Sequence, residues 1–313
     1  MTVEDVVLVG VDGSPASLNA LDWAVRHAKV HGFGLHLVCT YSVPSFTATA
    51  LDGGYAAIDD TAIQEGARAV LDEAVARVEG CGVRTTSAVA TGDAAAVLIE
   101  LSRGAAAVVV GTRGRGGFAE RLLGTVSSAL PAHAHCPTVV VPFRQADLDA
   151  GRPQRGTSGV RRIVVGVDGS AAAEAALAHA IHEAEIWDAE LTAVAGVPVG
   201  SGAGILAWLP AAVDHEAVLR DVAEGLDVVV DRALADHPGV QVRRHVLDGT
   251  GAALLTEFST AVDLVVVGSR GRGGFAGLLL GSTSQAVLHH AVCPVTVVTT
   301  RRQDEWSPTS VGD

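Results

Sequence analysis

Hydrophobic positions along this chain fall into two alternating kinds of pattern. Short unbroken aliphatic runs of four to six residues alternate with longer stretches in which apolar residues return every three or four positions. Runs such as Val6-Val7-Leu8-Val9 and Ala107-Val108-Val109-Val110 show no two-residue alternation, so they read as strands covered on both faces, as in a parallel sheet. The stretch that follows the first run carries Leu18, Leu21 and Val25 at helical spacing, and Ser14 stands where an N-cap belongs. Continuing in this way, the pattern predicts strands over 35–41, 83–90 and 138–141, and helices over 58–79 and 93–103.

The whole series then recurs. Ile163-Val164-Val165-Gly166-Val167-Asp168-Gly169-Ser170 repeats the opening strand and turn, with Leu177 and Ile181 on the helix behind it. Strands over 191–197, 240–247 and 295–298 and helices over 214–236 and 250–260 follow. Strands and helices in strict alternation with short connections imply right-handed crossovers and a parallel sheet. The expected fold is α/β, with two tandem Rossmann-like domains, each a five-stranded parallel sheet of order 3-2-1-4-5 with helices on both faces. The domains are expected at residues 1–143 and 161–300, joined by a linker at 144–160 that contains Gly151, Pro153, Gly156 and Ser158 and has no apolar period. A frayed tail is expected at 301–313.

The sharpest repeat lies after the fourth strand of each half. Residues 111–127 read GTRGRGGFAERLLGTVS and residues 268–284 read GSRGRGGFAGLLLGSTS. Both are Gly-x-x-Gly, nine further residues, then Gly with Thr or Ser, and the two copies are offset by 157 residues. Thr125-Val126-Ser127 and Ser282-Thr283-Ser284 then open helices, with a hydroxyl expected at the N-cap. A glycine loop between a strand's carboxyl end and a helix start suits an anion: the backbone approaches closely, exposed N–H groups point outward, and the helix dipole favours negative charge. Arg113, Arg115, Arg270 and Arg272 are candidates to neutralise a phosphate, although arginines in an exposed loop are as readily explained by solvation.

Asp12 and Asp168 end the first strand of each half, each followed by a glycine (Gly13, Gly169) and a serine. In a 3-2-1-4-5 sheet the first and fourth strands are neighbours, so each acid and its glycine loop converge on one crevice at the switch point. A carboxylate repels phosphate but accepts hydrogen bonds from ribose hydroxyls or an adenine amino group, which puts both acids at the nucleoside end. The plainer alternative is an Asp-Gly-Ser turn that merely caps the next helix.

Composition narrows the field. In 313 residues, 49% are hydrophobic but only 4% aromatic, so the core must be built from Val, Ala and Leu. A net charge of −13 argues against nucleic acid or anionic membrane as a partner. Lys29, the one lysine, falls in the first helix, so a P-loop with its phosphate-reaching lysine is absent. Cys39, Cys81, Cys136 and Cys293 show no paired spacing and read as reduced thiols. With no signal-peptide pattern at Met1-Thr2-Val3 and no apolar run of about 18 residues, the expected location is the cytoplasm.

Taken together, the opening Val-Asp-Gly-Ser, the repeated Gly-x-x-Gly-x9-Gly-Ser/Thr signature and the Cys-Pro before each last strand resemble a tandem universal stress protein over about 5–142 and 161–299. The resemblance implies a Rossmann-like fold of the HUP type, ATP as ligand in the ATP-binding branch, with Mg2+ as a candidate companion, and self-association through the final strands. It implies that Asp12 and the backbone around Thr40 meet ribose and adenine, and that Gly111, Gly114, Gly124, Thr125, Val126 and Ser127 line the phosphates. In the second copy the matching residues are Asp168, Gly268, Gly271, Gly281, Ser282, Thr283 and Ser284, with Gly196 standing where Thr40 stands. The expected role is a stress regulator with one nucleotide site per repeat, acting through nucleotide-dependent conformation or a regulatory protein partner. A slow ATPase is the alternative.

Two rivals are weaker. Gly114-x-Gly116-x-x-Ala119 imitates a dinucleotide-binding fingerprint, but it follows the fourth strand rather than the first, and no acid ends the second. His133, His135 and Cys136, like His289, His290 and Cys293, could suggest a metal, but histidine near a helix C-terminus complements the dipole without one. No metal is expected.

Overall fold

In the computed structural model, residues 5–42, 60–112, 114, 123–144, 159–198, 215–272 and 279–300 are described. The expected linker core at 145–158, the tail, the loops at 43–59 and 199–214, and both Arg113 and Arg115 lie outside them. The chain divides into two compact units with the main boundary between Gly159 and Val160.

The first repeat runs β1 (Val6–Gly10), α1 (Pro15–His31), β2 (Gly34–Tyr41), α2 (Asp60–Val78), β3 (Thr85–Thr91), α3 (Ala94–Leu101), β4 (Ala107–Gly111), α4 (Thr125–His133) and β5 (Thr138–Val141). The second runs β6 (Arg162–Gly166), α5 (Ala171–Trp187), β7 (Glu190–Val197), α6 (His215–Leu234), β8 (Val242–Asp248), α7 (Gly251–Phe258), β9 (Leu264–Gly268), α8 (Ser282–His290) and β10 (Val295–Val298). Strand order is β3-β2-β1-β4-β5 in one and β8-β7-β6-β9-β10 in the other. The pairings β1 with β2 and β4, and β6 with β7 and β9, are parallel, so the 3-2-1-4-5 expectation is met in both.

The aliphatic runs form strands because both their faces are covered. Val7, Leu8, Val9, Val108 and Val109 are fully or almost fully buried, as are Ile163, Val164, Val165, Val265 and Val266. In the second unit, α5 and α6 pack against each other and the sheet, while α7 packs with α8. Each α/β repeat has the same close fit: a Cβ on Gly10 would lie 2.9 Å from Leu98 Cδ1, and one on Gly166 would lie 2.7 Å from Leu255 Cδ1. Glycine at each first-strand end therefore admits the leucine of the third helix.

Ser14 and Ser170 are the N-caps of α1 and α5, their hydroxyls accepting from Ser17 N and Ala173 N at 3.2 Å. Such a cap contributes about 1 kcal/mol. The expected third helix, 93–103, is shorter: α3 stops at Leu101 and Ser102–Gly104 tightens into a 3-10 turn, with Ser102 Oγ donating to Ile99 O at 2.6 Å. Cys39, Cys81, Cys136 and Cys293 form no disulfide. Among the described residues, no helix is long and apolar enough to cross a membrane.

Candidate functional site

A cavity of about 410 Å3 opens in the second unit at the carboxyl ends of β6, β7 and β9. Parallel strands all end here, and the helices that follow them begin here, so the positive ends of α5 and α8 border the space. Of the expected second-copy residues, Asp168, Gly196, Gly268, Arg270, Gly271 and Gly281 line it, as do Ser282, Thr283 and Ser284. Gly169 stands at its edge, with φ +73 and the Arg272 guanidinium packed where a side chain would go. Arg272 lines the cavity too.

The helix start differs from expectation. The N-cap of α8 is Gly281, which has no side chain to cap with; Ser282 is already the first helical residue. Ser284 is buried and its hydroxyl turns inward, donating to Gly268 O at 2.6 Å. In the first unit Ser127 Oγ likewise donates to Thr112 O at 2.8 Å and Gly124 O at 3.2 Å. These hydroxyls lock the loop to the strand end instead of satisfying the helix N–H groups. The first turn of α8 thus keeps amides with no side-chain cap, the condition under which an anion can serve as one.

The first two glycines of each motif have a packing reason. A Cβ on Gly111 would lie 2.6 Å from Ala16 O, and one on Gly268 would lie 2.6 Å from Ala172 O, so the first glycine lets the start of α1 or α5 press on the strand end. A Cβ on Gly114 or Gly271 would run into Oδ2 of Asp12 or Asp168. At Gly281 the neighbours are Arg270 Cα at 3.3 Å and Ser269 O at 3.5 Å, and its own amide donates to Ser269 O at 2.7 Å, closing the loop on itself. Gly124 N donates to Thr112 O at 2.9 Å in the same way.

Asp168 is exposed, and its carboxylate is engaged by backbone: Oδ1 accepts from Ser170 N at 3.0 Å and Oδ2 from Arg272 N at 3.1 Å. Asp12 Oδ1 accepts from Ser14 N at 3.0 Å. The turn-capping role weighed for these acids is therefore present. It does not exhaust them, since an ionised carboxylate offers about four acceptor positions.

In the first unit Asp12, Gly13, Gly111, Gly114, Gly124, Thr125, Val126 and Ser127 occupy the matching places in β1, β4, α4 and their turns. Thr40 lies in β2, paired with Ala90. Gly196 has its own constraint: a Cβ there would sit 2.8 Å from Gly249 O and Gly251 N. The second cavity also has an apolar end that the sequence reading missed, made by Val167, Val194, Leu255 and Gly251. Its signal was available, because Leu98 and Leu255 share the same 157-residue offset as the glycine motif.

Fold and cavity define a duplicated, doubly wound α/β protein with its crevice at the switch point. The family model described as the universal stress protein family matches residues 5–142 and 159–299. Universal stress protein Rv2623 of Mycobacterium tuberculosis is 36% identical over 301 residues, covering 93% of this chain and 95% of that protein. A universal stress protein of Mycolicibacterium smegmatis is 34% identical over 303 residues, covering 94% and 97%. The solved universal stress protein from Archaeoglobus fulgidus superposes with a TM-score of 0.68 at 23% identity, covering 95% of this chain and 99% of that one, a likeness of fold. The chain belongs to the universal stress protein family, in its tandem two-repeat form.

Proposed function

We propose that each repeat binds one adenine nucleotide, ATP with or without Mg2+, and that the protein is a regulator whose conformation or choice of protein partner follows nucleotide occupancy. The observation that carries this reading is the second crevice. It joins an apolar end to an uncapped helix start flanked by Arg270 and Arg272. Charge and dipole there favour a polyphosphate, while Asp168 stands beside the region a ribose would fill. In the first repeat the same roles fall to Asp12, Gly13, the backbone at Thr40, and the loop from Gly111 to Ser127.

Binding without fast turnover fits the site better than catalysis. Among the described residues lining the second cavity, Asp168 is the carboxylate present, and both its oxygens already accept backbone N–H groups. Those two bonds fix its carboxylate in the turn, and its remaining lone pairs suit a ribose hydroxyl rather than an attacking water at the phosphate end. The domain limits 1–143 and 161–300, a cytoplasmic location and self-association through β5 and β10 complete the proposal. Mass spectrometry of ligand released from freshly purified protein tests it: adenine nucleotide near two per chain supports the reading, and a dinucleotide or an empty protein that also ignores added ATP refutes it.

A further inference from the structure

The second glycine of each motif is placed opposite a carboxylate. In both repeats the group that a Cβ on this glycine would strike is the Oδ2 of the acid ending the first strand: Asp12 for Gly114 and Asp168 for Gly271. Backbone conformation is not the reason for glycine, because neither residue has its φ in the left-handed region. What excludes a side chain is the acid. In the second repeat the contact continues into a hydrogen bond, Arg272 N to Asp168 Oδ2 at 3.1 Å, while the other oxygen holds Ser170 N at 3.0 Å. Ser170 Oγ in turn donates to Arg270 O at 3.3 Å. The β6–α5 turn and the glycine loop are thus joined by two hydrogen bonds, with Ser170 N to Asp168 Oδ1 bracing the turn itself, and Arg272, whose guanidinium packs over Gly169, is carried on the joined segment.

From this the geometry points to a second role for the acid. Asp168 is a positioning residue for the anion loop, holding Gly271 and Arg272 at the crevice independently of any contact with a nucleoside, and Asp12, opposite Gly114, has the same place in the first repeat. This deepens the nucleotide reading and rests on it, since the loop is positioned for an anion. It also separates two effects that ATP alone cannot separate. An acid that only accepts from ribose or adenine is irrelevant to a ligand that has neither. An acid that holds the loop matters to any polyphosphate.

Inorganic tripolyphosphate is therefore the probe, with the full-length protein and amide hydrogen exchange read separately at the two helix starts, 124–127 and 281–284. Asp168→Ala is expected to weaken tripolyphosphate protection at 281–284 by about fivefold, the size of one lost hydrogen bond. Protection at 124–127 should stay unchanged, and ligand-free protection of the β6 and β9 amides reports that the second repeat is folded. Asp168→Asn should behave like the alanine variant at this loop, because one amide oxygen cannot accept both backbone N–H groups, and it serves if the alanine variant does not fold. Gly271→Ala should weaken tripolyphosphate in the parent chain but change it by less than about twofold when Asp168 is already Ala, since the obstructing carboxylate is gone.

If Asp168→Ala and Asp168→Asn bind tripolyphosphate like the parent and lose only ATP, the acid is a nucleoside contact alone and the positioning role is overturned. If the parent protects neither helix start with either ligand, it is the nucleotide reading that fails. The positioning role is then judged from ligand-free exchange of the Arg272 amide: faster in Asp168→Ala upholds it, unchanged refutes it.

Discussion

Gly268→Ala is the most informative single substitution, because its effect can be worked from one contact. A Cβ at residue 268 would lie 2.6 Å from Ala172 C and O and 2.9 Å from Ala172 Cβ. Ordinary carbon contacts are about 3.5–4.0 Å, so the first turn of α5 and the end of β9 must separate by roughly 1 Å. Both are backbone in a close-packed core, and such overpacking typically costs about 1–3 kcal/mol. For a repeat of this size that lowers the midpoint of its thermal transition by about 3–10 °C. The control is Gly225→Ala in the exposed middle of α6, where nothing lies within 4 Å of the added Cβ. There alanine gains about 0.5–1 kcal/mol of helix propensity, so the midpoint rises. Scanning calorimetry of the two variants against the parent decides the matter. If Gly268→Ala is as stable as the parent, the claim that this glycine exists for the approach of α5 is wrong.

Other outcomes follow from the same contacts. Ser284→Ala removes the buried donor to Gly268 O and should cost about 1–3 kcal/mol in urea unfolding; a change below about 0.5 kcal/mol would mean that the bond merely fills space. Asp188 closes α5 at φ +51, where Gly32 closes α1 at φ +72, and its charge faces the negative helix end, so Asp188→Gly should stabilise by up to about 1 kcal/mol, and a loss of stability would contradict this. Burial lowers the His36 pKa below its ordinary 6.5, so the unfolded chain takes up this proton first as pH falls. The contribution of His36 is intact above about pH 6.5 and is lost as pH drops from there through the depressed folded value. Comparing urea midpoints at about pH 7.5 and 5.5, His36→Gln should narrow the parent's difference; an equal difference would remove His36 as the cause.

The parallel core was legible because β1, β4, β6 and β9 are unbroken aliphatic runs that no helix or half-exposed strand would need. The edge strands β3 and β8 were less so. Expected at 83–90 and 240–247, they lie at Thr85–Thr91 and Val242–Asp248; no position of either is fully buried, and four of the seven residues in each are polar. At the site, spacing alone marked the strand-end acids and the glycine motif. It did not reveal which partner each glycine serves, because Ala16 and Ala172 carry no chemical signal and act through their backbone carbonyls and Cβ atoms. The hydroxyls at Ser127 and Ser284 misled for a related reason: serine near a helix start suggests a cap, but only the fold puts the carbonyls of Thr112 and Gly268 within their reach.

Calorimetric titration of the full-length protein with ATP, and in parallel with adenosine, tests the central claim most directly. Two nucleotides per chain, with adenosine bound much more weakly than ATP, is the predicted result, because the loop and helix amides act on phosphate. Adenosine binding as tightly as ATP, or no heat of binding with either, would contradict it.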